Sequence, residues 1–148
     1  MITVEYLRGD RRGQRLHFPV GQSVTFGRHP DCDVAFDARR ELDASSRHAE
    51  LRCTDENYTL CDVGSSNGTF VDGRRVTEID LVAETPLTVE FGSGGPRLRL
   101  LYGDPASLPP LPDISTIYGR LDTTSRVVFA IAVAAVLAIA AIAWVALV

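Results

Sequence analysis

Roughly every six to twelve residues between position 1 and about position 102, a Gly, Pro, Asn or Asp interrupts the chain. Between those breaks the apolar residues recur at every second position or in short runs. No window there holds the long stripe of an amphipathic helix. Punctuation this dense leaves room for short strands joined by turns and for little else. The pattern predicts strands at 2–7, 14–19, 23–27, 34–36, 48–53, 58–63, 69–71, 87–91 and 98–102. Many short strands at this spacing fold as a sandwich or barrel, and about a hundred residues suffice for one such core. The expected fold class is all-β.

The rest of the chain has a different character. Pro105, Pro109, Pro110 and Pro112 are half of the eight prolines. Proline fixes φ and withholds a hydrogen-bond donor, so 103–126 is expected to be an extended, semi-rigid Pro-rich linker. From Val127 to Val148 no Asp, Glu, Lys or Arg occurs. A helix of about 22 residues rises roughly 33 Å, close to the thickness of a bilayer's hydrocarbon core. The expected order is therefore a sandwich at 1–102, a linker at 103–126 and one C-terminal transmembrane α-helix in the lipid bilayer at 127–148. Arg120 and Arg126 precede that span and no charge follows it. The positive-inside rule then keeps the N-terminal domain in the cytoplasm, as a single-pass protein of the inner membrane. The first residues show no basic-then-apolar pattern of a signal peptide. Ala130, Ala134 and Ala138 share one face of the expected helix, a spacing that lets two copies approach as a homo-dimer.

Nineteen Asp and Glu oppose fifteen basic residues, a formal net charge of −4. A nucleic-acid binder that relies on bulk positive charge is excluded. All fifteen basic residues are Arg, a bias that a GC-rich bacterial genome produces. Cys32, Cys53 and Cys61 are odd in number, which suits free thiols in a reducing compartment.

Three segments carry the chemistry. The first is Phe26-Gly27-Arg28 at a strand end, and the second is Ser45-Ser46-Arg47-His48 entering the next long strand. The third is Asp62-Val63-Gly64-Ser65-Ser66-Asn67-Gly68-Thr69-Phe70, a Gly/Ser/Asn loop between two short strands. Loops of a sandwich gather at its two ends, where residues distant in sequence converge on rigid support. One Arg with two Ser hydroxyls suits a phosphate: the planar guanidinium grips two oxygens and the hydroxyls donate to the others. Each charge-assisted bond contributes ~1.5–3 kcal/mol, so three give at most ~5–9 kcal/mol before entropic losses. That corresponds to millimolar to micromolar binding.

Gly27-Arg28, the Ser45-x-x-His48 spacing and the run from Gly64 to Gly73 together resemble the signature of the forkhead-associated (FHA) domain, over about residues 1–102. The resemblance implies an eleven-strand β-sandwich whose apical loops bind phosphothreonine in a partner protein, such as a Ser/Thr kinase or its substrate. It assigns the phosphate to Arg28, Ser45 and Ser66, and the peptide backbone to Asn67. Ser46 and Arg47 stand beside them as further polar and cationic contacts. Gly27, His48, Gly64 and Gly68 are structural in the motif, with Gly27 permitting a turn and His48 bracing the loops. Many members carry a basic residue or Asn at the position of Ser46 and Thr at that of Ser66.

The function expected is a membrane-tethered scaffold that recruits a kinase-modified partner, with no catalysis, cofactor, metal or nucleic acid. The alternative is a structural FHA-like cytoplasmic ring component of a secretion apparatus, held by phosphate-independent contacts. Gly64-Ser65-Ser66-Asn67-Gly68 also fits the G-x-S-x-G elbow of serine hydrolases. That motif needs a following helix and a later His, whereas His17, His29 and His48 all come earlier. Gly92-Ser93-Gly94-Gly95 lacks the Lys of a P-loop and reads as a hairpin turn. Thr116, Thr123 and Thr124 in the linker are accessible candidates for phosphorylation and binding in cis.

Overall fold

The computed structural model describes residues 1–55 and 57–111. They form eleven strands: β1 (Ile2–Tyr6), β2 (Arg15–Phe18), β3 (Val24–Gly27), β4 (Val34–Ala35), β5 (Ala49–Thr54), β6 (Asn57–Asp62), β7 (Thr69–Val71), β8 (Arg74–Val76), β9 (Glu78–Leu81), β10 (Leu87–Phe91) and β11 (Arg97–Tyr102). One sheet has the order β2-β1-β11-β10-β7-β8 and the other β4-β3-β5-β6-β9. All pairs are antiparallel except β3 with β4. The expected all-β, eleven-strand sandwich is what the described residues build.

Alternation places the core. Val24 and Phe26 on β3, Leu51 on β5 and Leu60 on β6 face Val89 and Phe91 on β10 and Leu98 and Leu100 on β11, all essentially inaccessible. Side chains two apart on a strand share a face, so this set is the inner surface of both sheets. Phe91 stacks on Phe26 at 5.2 Å between centroids and meets Phe36 at 5.1 Å. It also receives the edge of His48 at 5.3 Å. The top of the apolar core thus supports the loops above it.

The sequence pattern missed β8 and β9. Each is the edge strand of its sheet. β8 reads Arg-Arg-Val with both arginines exposed, so nothing in it signals burial. β9 does alternate, Glu78-Ile79-Asp80-Leu81, but over only four residues. Edge strands kept short and charged resist pairing with other chains, and the same charges hide them from a search for apolar periodicity.

The compact unit runs from Met1 to Pro109, beyond Tyr102 where the sequence reading closes the sandwich. After β11, Gly103 N donates to Met1 O at 2.9 Å. Asp104 then caps a single 3-10 turn, Pro105–Ser107. Ser107 Oγ donates to Glu84 Oε2 at 3.1 Å, Leu108 is buried, and Arg99 Nη1 donates to Pro109 O at 2.6 Å. Proline-rich sequence reads as a spacer, yet its first residues cover the sheet because Arg99 and Glu84 supply partners for their backbone. The remainder of the linker, the span at 127–148, the alanine face and the three linker threonines lie outside the described residues. Among the described residues no helix is long and apolar enough to cross a membrane.

Candidate functional site

The site begins where β3 and β5 end. Their ladder pairs Phe26 with Ala49, and the backbone stays zipped beyond it. His48 N donates to Phe26 O at 2.8 Å, Arg28 N to Ser45 O at 3.0 Å and His29 N to Ser46 O at 2.8 Å. These bonds set Arg28 beside Ser45. Gly27 is needed for that closeness: a Cβ there would overlap the carbonyl oxygen of Ser46. Gly27 is the last residue of β3 and is not among the positive-φ residues. What it supplies is room for a neighbouring backbone.

Ser45 is the hub. Its N–H donates to His48 Nδ1 at 2.9 Å, and its hydroxyl oxygen accepts from Ser66 N at 2.9 Å. The hydroxyl proton of Ser45 is left to donate outward. Because Nδ1 accepts, the neutral His48 ring carries its proton on Nε2, which donates to Gly68 O at 3.1 Å. His48 is fully buried, and burial holds its pKa below the usual 6.5. It is a bridge between loops, with both ring nitrogens committed.

The loop between β6 and β7 is shaped by Asp62, which the sequence reading includes in the third segment but gives no role. Its carboxylate accepts from Gly64 N at 2.9 Å, Ser65 N at 2.7 Å, Ser65 Oγ at 2.6 Å and Thr69 Oγ1 at 2.7 Å. Burial opposes its charge, but the bonds from Ser65, Thr69 and Gly64 prevail and hold its pKa at about 2. Ser65 Oγ in turn accepts from Gly68 N at 2.9 Å, and Gly68 sits at φ +84°, a conformation glycine adopts at little cost. An Asp two residues before a Gly is an Asx-turn signal that could have exposed it.

Four further contacts gather the loops. Asn67 Nδ2 donates to Asp43 O at 2.9 Å, so one amide proton ties two loops while Oδ1 and the second proton remain available. Gly92 N donates to Gly68 O at 2.8 Å, bringing in the β10–β11 turn. The Arg28 guanidinium is oriented by Nε to Ala44 O at 2.6 Å and Nη1 to Ala38 O at 3.3 Å. Among the described residues Arg28 makes no ion pair. Its charge is aimed by neutral carbonyls and uncancelled, a state suited to an anion from outside.

Arg28, Ser45, Ser66 and Asn67 are thereby brought to one rim. Ser66 and Asn67 are exposed, and Arg28 and Ser45 half-exposed. Ser46 takes part through its carbonyl, which accepts from His29, while its side chain and that of Arg47 are exposed. Burial pushes the Cys32 thiol upward although Arg47 opposes it, so this cysteine is poorly suited to nucleophilic work. A cleft of ≈ 370 Å³ lies elsewhere, lined by Arg8, Asp10, Arg11, Asp37, Arg40 and Glu41 among others. Arg11 pairs with Glu41 and Arg40 with Asp10, so its charges largely satisfy one another.

Residues 24–89, which hold Arg28, Ser45, His48, Asp62, Ser66 and Asn67, match the family model described as the FHA domain. Over those residues the chain is similar to an FHA domain. The FHA-1 domain of Mycobacterium tuberculosis Rv1747 superposes with a TM-score of 0.57 at 28% identity, over 70% of this chain and 96% of that one. The glycogen accumulation regulator GarA of M. tuberculosis is 42% identical over 66 residues, 44% of this chain and 38% of GarA. The oxoglutarate dehydrogenase inhibitor of Corynebacterium efficiens is 41% identical over 96 residues, 64% of this chain and 60% of the inhibitor. The chain thus matches less than two thirds of the length of either curated relative. In this chain the blocks that resemble the FHA motif meet through Ser45, His48 and Gly68.

Proposed function

We propose that this FHA domain binds phosphothreonine in a partner protein and acts as a recruiting module that catalyses no reaction. The observation that carries the proposal is the uncancelled Arg28 guanidinium held beside the Ser45 hydroxyl, with the backbone of Ser66 locked to that hydroxyl. A phosphate ester with ≈ −1.5 to −2 charge rewards such a pair more than a carboxylate does. Asn67 retains acceptor and donor capacity for the ligand's backbone. The names of the two relatives, a regulator and an inhibitor, support control exerted through protein contact. The partner is a Ser/Thr kinase or a substrate of one.

The test is fluorescence-polarisation binding of the full chain, in mild detergent, to pooled phosphothreonine peptides and their unphosphorylated forms. Binding that requires phosphate and disappears in Arg28→Ala is expected. A folded domain that ignores every phosphopeptide would overturn the proposal in favour of a structural ring component.

We further propose that 127–148 anchors the protein in the cytoplasmic membrane with the FHA domain on the cytoplasmic side. The uncharged sequence of that stretch supports this, and anchoring would raise the domain's effective concentration for membrane-associated partners. Fractionation of native cells tests it. Recovery of the chain in the soluble fraction after lysis would sink it.

A further inference from the structure

We propose that Arg75, on β8, is a specificity-determining residue that takes an Asp or Glu side chain of the bound peptide close to the phosphothreonine. The proposal rests on the phosphopeptide reading and names which ligands that site prefers. It starts from register. In the β7–β8 pair Phe70 faces Arg75, so Gly68 is the diagonal neighbour two residues further along. The side chain of Arg75 reaches that neighbour: a Cβ built on Gly68 would lie 2.5 Å from Arg75 Nε. The guanidinium therefore rests against the backbone of the residue that follows Asn67, at the edge of the recognition loop.

Three facts make this cation available. Arg75 is exposed, and among the described residues it forms no ion pair and donates to no carbonyl, unlike Arg28. Arg75 also comes from the opposite sheet to Arg28, since β7 and β8 belong to one sheet and β3 to the other. The two guanidinium groups thus approach the rim from different sides. A phosphate seated on Arg28 and Ser45, with the peptide crossing Asn67, leaves Arg75 beside the flanking residues. An extended peptide advances about 3.3 Å per residue, which places the acidic partner within about three residues of the phosphothreonine. Arg74 provides the internal control. It has the same charge, is also exposed and precedes Arg75 directly, but successive side chains on a strand point to opposite faces.

The experiment uses the full chain and one phosphothreonine peptide, with Asp walked through the three positions on each side in an alanine background. Wild-type protein is expected to bind the Asp peptide about two- to fivefold tighter at one or two positions, the range for an exposed ion pair. Arg75→Ala should remove that preference while binding the all-alanine phosphopeptide unchanged. Arg75→Glu should shift the preference to Lys at the same positions, and Arg74→Ala should keep the wild-type pattern. A preference that survives in Arg75→Ala, or disappears equally in Arg74→Ala, overturns the assignment. So does wild-type binding with no acidic preference. If wild-type protein binds no phosphopeptide above the Arg28→Ala baseline, the phosphopeptide reading fails, and this assignment with it.

Discussion

Arg28 N donates to Ser45 O at 3.0 Å, so the residues that supply the cation and the hydroxyl of the proposed phosphate site are held together by their own backbones. The spacing of the two backbones does not depend on side-chain rotamers, which reduces the ordering cost when an anion binds. The guanidinium is then aimed by the carbonyls of Ala44 and Ala38.

This orientation needs a planar fork. Arg28→Lys keeps the charge but cannot donate to two carbonyls and grip two phosphate oxygens at once. We expect Arg28→Lys to lose at least about tenfold in phosphopeptide affinity, equivalent to ~1.4 kcal/mol. The amide spectrum should remain that of the folded domain. Affinity equal to wild type would show that a point charge is enough.

Gly27→Ala places a methyl group on the carbonyl of Ser46, a backbone atom with little freedom to retreat. Overpacking of this kind costs ~1–3 kcal/mol. Urea unfolding should show that loss, and phosphopeptide binding should weaken with it, because separating Ser46 from β3 also separates Ser45 from Arg28.

Asp62→Asn replaces one acceptor oxygen by an NH₂ that faces the hydroxyl donors of Ser65 and Thr69. A loss of about 2 kcal/mol is expected from exchanging charge-assisted bonds for weaker ones. The pH dependence has a definite sign. With a folded pKa of about 2 against 3.8 unperturbed, the Asp62 contribution is present above pH 3.8 and is lost as pH falls from there toward 2. Acid unfolding monitored by tryptophan-independent circular dichroism should show a smaller acid-dependent loss in Asp62→Asn than in wild type.

His48 titrates in a higher window. Burial lowers its folded pKa below 6.5, so the neutral ring stabilises the fold fully above pH 6.5. That contribution drains away as pH falls below 6.5 toward the folded value, since protonating Nδ1 breaks its bond from Ser45 N. His48→Gln should be less stable at pH 8 and should show a shallower loss of stability between about pH 7 and 5. An identical slope in the variant would show that His48 does not carry that pH dependence.

Much of this protein is written locally. Alternation in 24–27, 49–54 and 87–91 determined strands whose inward residues are the core, and the Gly-Ser-Ser-Asn-Gly run determined a loop. The residue types for phosphate were legible too, since Arg and Ser chemistry belongs to the side chains themselves. What only the tertiary structure decided are matters of partnership. β8 and β9 exist as strands because β7 and β6 offer them ladders, not because their own composition demands it. The segment after Tyr102 packs because Arg99 and Glu84 receive it, against the habit of proline-rich chain. Asp62 organises a loop and Gly27 admits a carbonyl for the same kind of reason. A hydrogen bond such as Asn67 to Asp43 joins residues 24 apart, and periodicity within either loop carries no trace of it. Local pattern dictates which residues turn inward; the meeting of distant backbones dictates which atoms are left free to bind.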